Sequence, residues 1–145
     1  MPIPLFLIPI LSALVAQGLK PLLNRDWRKK LHDEGLAIPR YGGMPSAHTS
    51  FAISLATVIG LVDGLGSTSF VIAAAVVIFI LDDALRMRIF LGRYGTVLST
   101  LLQRIPESER EDLPYLEKQL GHTVPEVIAG GIVGLVVSLA LLWLL

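Results

Sequence analysis

Four apolar stretches restrict what this sequence can fold into. Residues 3–19, 43–62, 64–81 and 127–145 each approach the roughly 20 residues that a helix needs to cross a hydrocarbon core. The 145-residue chain is 53% hydrophobic and 17% charged, with a mean hydropathy of +0.68, too apolar for an ordinary soluble domain of this length. The expected fold is all-α, a polytopic membrane helix bundle forming one domain over residues 1–145, with about four transmembrane helices and one interfacial amphipathic helix. A cleavable signal peptide competes for residues 3–19. That stretch has no basic region before it, however, and Lys20-Pro21 follows it directly, which argues for a retained span. With no cysteine in the sequence, disulfides, thiolate nucleophiles and thiolate zinc sites are excluded.

The net charge is zero, from 12 basic and 12 acidic residues, so only the distribution of charge is informative. If all four stretches cross, residues 24–41 and 82–122 share one side, and the turn Asp63-Gly64-Leu65-Gly66 and both termini lie on the other. Every lysine and arginine, counting Lys20, then falls on the first side, which the positive-inside tendency makes cytoplasmic. The expected location is therefore the cell (inner) membrane, with the charged layer facing the cytoplasm. Arg25-Asp26-Trp27-Arg28-Lys29-Lys30 suits a helix end among phosphate head groups, or serves simply as a topology determinant. Val97, Leu98, Leu101, Leu102 and Ile105 recur at helical spacing, as in a helix lying at the interface. Residues 106–112 read as an acidic exposed loop, and 115–120 as a short helix ended by Gly121.

Ionisable groups in or beside apolar spans are costly and therefore functional candidates. They are Lys20, His48, Asp82, Asp83, Arg86, Arg88, His122 and Glu126, and the expected topology gathers them into one layer. In Gly42-Gly43-Met44-Pro45-Ser46-Ala47-His48, glycines lead into a proline and a serine at a helix start. There, backbone N–H groups near Gly43 and the positive helix end can hold an anion, with Ser46 adding a hydroxyl. His48 is expected one position beyond the first turn, facing the same site. An ordinary loop with Ser46 as N-cap fits the segment equally. In Gly121-His122-Thr123-Val124-Pro125-Glu126, four-residue spacing brings a carboxylate to an imidazole. Such a pair fixes the tautomer and frees the other ring nitrogen as nucleophile or base. An interfacial histidine beside a solvated glutamate is the alternative. In Asp82-Asp83-Ala84-Leu85-Arg86-Met87-Arg88, the arginines offer planar forks for phosphate oxygens, with Lys20 as a further point charge, or they are snorkelling anchors. Two histidines, a carboxylate and several cations on one face are what phosphoryl transfer through a phosphohistidine needs.

Met44-Pro45-Ser46-Ala47-His48 and Gly121-His122-Thr123-Val124-Pro125-Glu126-Val127 resemble the second and third signatures of the type-2 phosphatidic acid phosphatase superfamily, and more closely its divergent bacterial and plastid branch. Ala47 stands where the superfamily has glycine, and Glu126 where it has aspartate. Leu116 occupies the usual arginine position six residues before His122. Arg88-Ile89-Phe90-Leu91-Gly92 keeps the arginine-to-glycine spacing, as though residues 93–120 had been inserted into the third signature. Lys20 matches the first-signature lysine. The arginine-proline that should follow is absent at its distance, leaving Arg40 or Arg86 as substitutes.

The resemblance implies that His122 attacks phosphorus, Glu126 orients its ring, and His48 protonates the departing alkoxide and then activates water. Lys20, Ser46, Arg88, Arg86 and the backbone near Gly43 would hold the phosphate oxygens, while Asp83 or Asp82 supports a histidine or an arginine. It implies no metal and no other cofactor. The expected partners are a lipid phosphate substrate (phosphatidate, phosphatidylglycerophosphate or a polyprenyl phosphate or diphosphate) and membrane lipids. No nucleic acid is expected, and short helices that bury little are compatible with a homodimer. The competing readings are a non-catalytic transporter subunit or lipid-binding scaffold, and transfer of phosphate to an acceptor other than water.

Overall fold

The computed structural model describes residues 4–24, 43–106 and 122–144, and these are helical wherever they are regular. Helix α1 is Leu7–Leu23, α2 Ala47–Val62 and α3 Thr68–Asp82, followed by a π-helical turn, Asp83–Met87, that runs directly into α4, Arg88–Leu102; α5 is Val124–Leu144. The segments 25–30, 107–112 and 115–120, with Arg40 and Gly121, lie outside the described residues.

Each apolar stretch contains a helix, but the boundaries move for local reasons. The first helix extends past residue 19 and takes in Lys20 and Pro21. Its last turn is closed by Asn24, whose backbone N–H and side-chain amide both reach the Lys20 carbonyl, at 3.0 and 2.7 Å. The second stretch yields no helix before Ala47, because Gly43 has a φ of 84° and Ser46, with extended backbone, stands at the N-cap. The third ends its turn with Gly64 at φ 91°. Ser67 then caps α3 by accepting from the Phe70 N–H at 3.1 Å. The amphipathic stretch between Arg93 and Arg104 is helical, as part of α4, but that helix begins at Arg88 and continues α3, so Thr68–Leu102 is one helical stretch of 35 residues. That stretch and Val124–Leu144 are long and apolar enough to cross a membrane by length and composition, whereas Leu7–Leu23 and Ala47–Val62 are shorter apolar helices.

Helix α2 is central and packs against α1, α3 and α5, while α1 also meets α5. The α2–α5 seam is made of small residues. A Cβ added at Gly130 would lie 2.3 Å from the Ser46 carbonyl oxygen, and one at Gly134 2.5 Å from that of Ser50, so only glycine permits this approach. Further along, the Ser54 and Ser138 hydroxyls meet at 2.6 Å. Both series advance in the same direction, so α2 and α5 are parallel. On the opposite flank, Ser50 bonds Ser12 of α1 hydroxyl to hydroxyl at 2.6 Å.

Candidate functional site

The parallel arrangement puts the N-termini of α2 and α5 at one end of the bundle, where α1 and α3 finish. At α5, Thr123 stands at the cap position, since its carbonyl accepts from Val127 N–H at 3.1 Å. Glu126, three residues later, turns back so that Oε2 accepts the Thr123 N–H at 3.0 Å. This is the glutamate half of a capping box. The same oxygen lies 3.0 Å from His122 Nδ1.

His122 therefore precedes the helix, and a helix-cap geometry makes the contact that four-residue spacing along a helix was expected to make. A carboxylate only accepts, so this hydrogen bond requires the proton on Nδ1 and puts the imidazole lone pair on Nε2. The His122 side chain is 6% exposed and that of Glu126 20%, a setting in which the ring is held rather than mobile. The His122 backbone is also fixed, because its N–H donates to the Ala84 carbonyl at 3.2 Å. Ala84 belongs to the π-helical turn, a wider turn of a kind often found at functional sites.

At α2, Ser46 is the N-cap: its side chain accepts from Thr49 N–H at 3.4 Å and from the Thr49 hydroxyl at 3.0 Å. It is fully buried, and its own N–H donates to the Glu126 carbonyl at 3.0 Å. That last bond joins the two histidine-bearing motifs directly across 80 positions of sequence. His48 is exposed at the second residue of α2. It thus sits inside the first turn, not one position beyond it, because the helix starts only after the Gly43-to-Pro45 turn.

Lys20 is 7% exposed in the last turn of α1 and interacts electrostatically with Glu126. Asp82 pairs with Arg86 at 3.2 Å, one turn apart, on an exposed flank. Asp83 opens the π-helical turn, and Arg88 is the first residue of α4; the Arg88 side chain lies outside the described residues. The structure thus brings Lys20, Ser46, His122 and Glu126 into one layer, with the Asp83–Met87 turn attached through Ala84. The Asp82–Arg86 pair remains outward. Two residues of this layer escape a reading aimed at ionisable groups: Thr123, signalled by a Thr-x-x-Glu box, and Asn24.

An all-helical fold with a carboxylate-oriented histidine at the head of a close helical seam defines the class. The chain belongs to the Divergent PAP2 family, whose pattern it matches over residues 3–137. It is 30% identical over 148 residues to the uncharacterized membrane protein YuiD of Bacillus subtilis (strain 168), with 92% of each chain covered. No solved structure matches.

Proposed function

We propose that this chain is a multi-pass membrane phosphatase that hydrolyses a phosphomonoester or diphosphate of a lipid through a phosphohistidine on His122. The observation that carries this reading is the His122 Nδ1 to Glu126 Oε2 contact of 3.0 Å. It is made in the same first turn of α5 whose Glu126 carbonyl receives the Ser46 N–H from the start of α2. Membership of the Divergent PAP2 family supports the same chemistry.

In the proposed reaction, His122 Nε2 attacks phosphorus in line and the P–O bond to the lipid breaks. His48, as imidazolium, gives its proton to the leaving alkoxide. Neutral His48 then takes a proton from water, whose oxygen attacks phosphorus; the N–P bond breaks and inorganic phosphate leaves. Lys20, Arg88 and Arg86 neutralise the equatorial oxygens. Ser46 acts first as the cap that aims the start of α2, and Asp83 or Asp82 orients an arginine or His48. Phosphatidate, phosphatidylglycerophosphate and polyprenyl phosphates all present a phosphate at the membrane surface with the tail in the apolar layer.

The test is phosphate release from these detergent-solubilised lipids with chelator present. Wild type should turn over, while His122→Ala and His48→Ala should each lose at least about a hundredfold and still unfold cooperatively, His122→Ala at a lower temperature because its buried hydrogen bond to Glu126 is gone. Release that survives His122→Ala overturns the mechanism, and absence of release from folded wild type favours a binding or transport role. Four crossings with the site facing the cytoplasm complete the proposal. A cysteine replacing Arg110 should be labelled by an impermeant reagent from the cytoplasmic side alone; labelling from the other side reverses the orientation.

A further inference from the structure

Asn24 stands immediately after α1, and its side-chain amide makes three hydrogen bonds. Nδ2 donates to the carbonyls of Lys20 and Met44, each at 2.7 Å, and Oδ1 accepts the Met44 N–H at 2.9 Å. A primary amide is the side chain that can bond both the N–H and the C=O of one peptide residue and still have a donor left. Asn24 uses that second donor to hold the carbonyl of the residue that carries the buried ammonium.

The turn from Gly43 to Ser46 needs such support. Gly43 is at positive φ, Pro45 has no N–H to offer, and on its other side Ser46 N–H is tied to α5 through the Glu126 carbonyl. The turn is therefore held between two anchors, Asn24 toward α1 and Glu126 toward α5. The Lys20 carbonyl already accepts the Asn24 backbone N–H at 3.0 Å, and its second lone pair takes the Asn24 side-chain amide, so backbone and side chain of one residue grip the same oxygen.

We propose that Asn24 is a positioning residue for the phosphate subsite, locking the Lys20 segment to the turn that aims the α2 N-terminus, so that ammonium and helix start move as one body. The proposal rests on the phosphatase reading. Asn24 touches no reacting atom; it acts through Lys20 and Met44. Removing it leaves all the charges present but lets the two halves of the anion site shift against one another, and displacements near 1 Å cost catalysis about a hundredfold.

The experiment compares full-length wild type, Asn24→Ala, Asn24→Asp and Ser12→Ala in detergent. It measures kcat, KM, inhibition by orthovanadate as the phosphate probe, and thermal unfolding. Asn24→Asp keeps the acceptor for Met44 N–H but loses both donors and sets a carboxylate oxygen against the Lys20 and Met44 carbonyls, so it should lose at least as much as Asn24→Ala. Both should lower kcat roughly tenfold to a hundredfold and weaken vanadate inhibition to a similar degree. Ser12→Ala removes an α1–α2 hydrogen bond away from the site and should lower the melting temperature while leaving kcat and vanadate inhibition unchanged. Wild-type kcat and vanadate inhibition in both Asn24 variants would overturn the proposal, as would losses no larger than those of Ser12→Ala. A wild type that neither releases phosphate nor responds to vanadate would instead remove the phosphatase reading, and this proposal with it.

Discussion

The α2–α5 seam and the α3–α4 arm are both strongly apolar, yet they are built on opposite rules. Along the seam the contacting residues are Ser46, Ser50, Ser54, Gly130, Gly134 and Ser138, small enough for backbone to approach backbone. Helix α3 is rich in Val, Ile, Phe and Ala, and it buries one residue, Ala73. Ile72, Ile78 and Phe79 are exposed. In a bilayer large aliphatic side chains gain nothing by leaving lipid, so close packing and interhelical hydrogen bonds hold helices together. The candidate site heads the seam built that way, while the arm is attached to it by the Ala84 to His122 bond.

The sharpest way to break this contrast is Gly130→Ala. Its new Cβ would sit 2.3 Å from the Ser46 oxygen, whereas the same change at Gly131 meets nothing nearer than Ile53 Cγ1 at 3.7 Å. Gly130→Ala should cost about 1–3 kcal/mol and reduce phosphate release by moving the Ser46 turn off Glu126. Gly131→Ala should leave both the melting curve and turnover near wild type. Equal effects at the two glycines would mean that the seam is not closely packed.

Smaller effects sharpen the comparison in one unfolding series. Ser54→Ala removes its hydrogen bond to Ser138 and should cost about 0.6 kcal/mol, up to about 1.7. Ile78→Ala on the arm, although it deletes more apolar surface, should stay within about 0.5 kcal/mol. A larger loss at Ile78 than at Ser54 would show that the arm has a packing partner of its own.

Much of this was readable from the chain. The apolar stretches announced the helices, because length and composition alone bound them, and His122 with Glu126 announced a pair through spacing. The helix starts were less legible. A positive φ at Gly43 and a late start at Ala47 shifted His48 into the first turn, and a capping geometry replaced the expected helical one at His122. The π-helical turn was not legible, since Asp83-Ala84-Leu85-Arg86-Met87 contains neither glycine nor proline to mark it. Asn24 looked like any polar residue following an apolar run; its role depends on Met44, which only the tertiary fold brings near. The seam did have a signal, Gly130-x-x-x-Gly134, whose partner residues on α2 could be named only once the parallel packing was known.

That parallel packing gives the arm a purpose unrelated to stability. Two consecutive segments that point the same way must be joined by a chain that travels the full length of the bundle in reverse, and α3 makes that journey, from the Asp63 turn back to Ala84 beside His122. Its contribution is one of parity. Without an odd number of returns between them, the α2 and α5 motifs would open at opposite ends, however well the two helices fitted. A helix that buries a single residue, Ala73, thus matters for where it carries the chain rather than for what it covers.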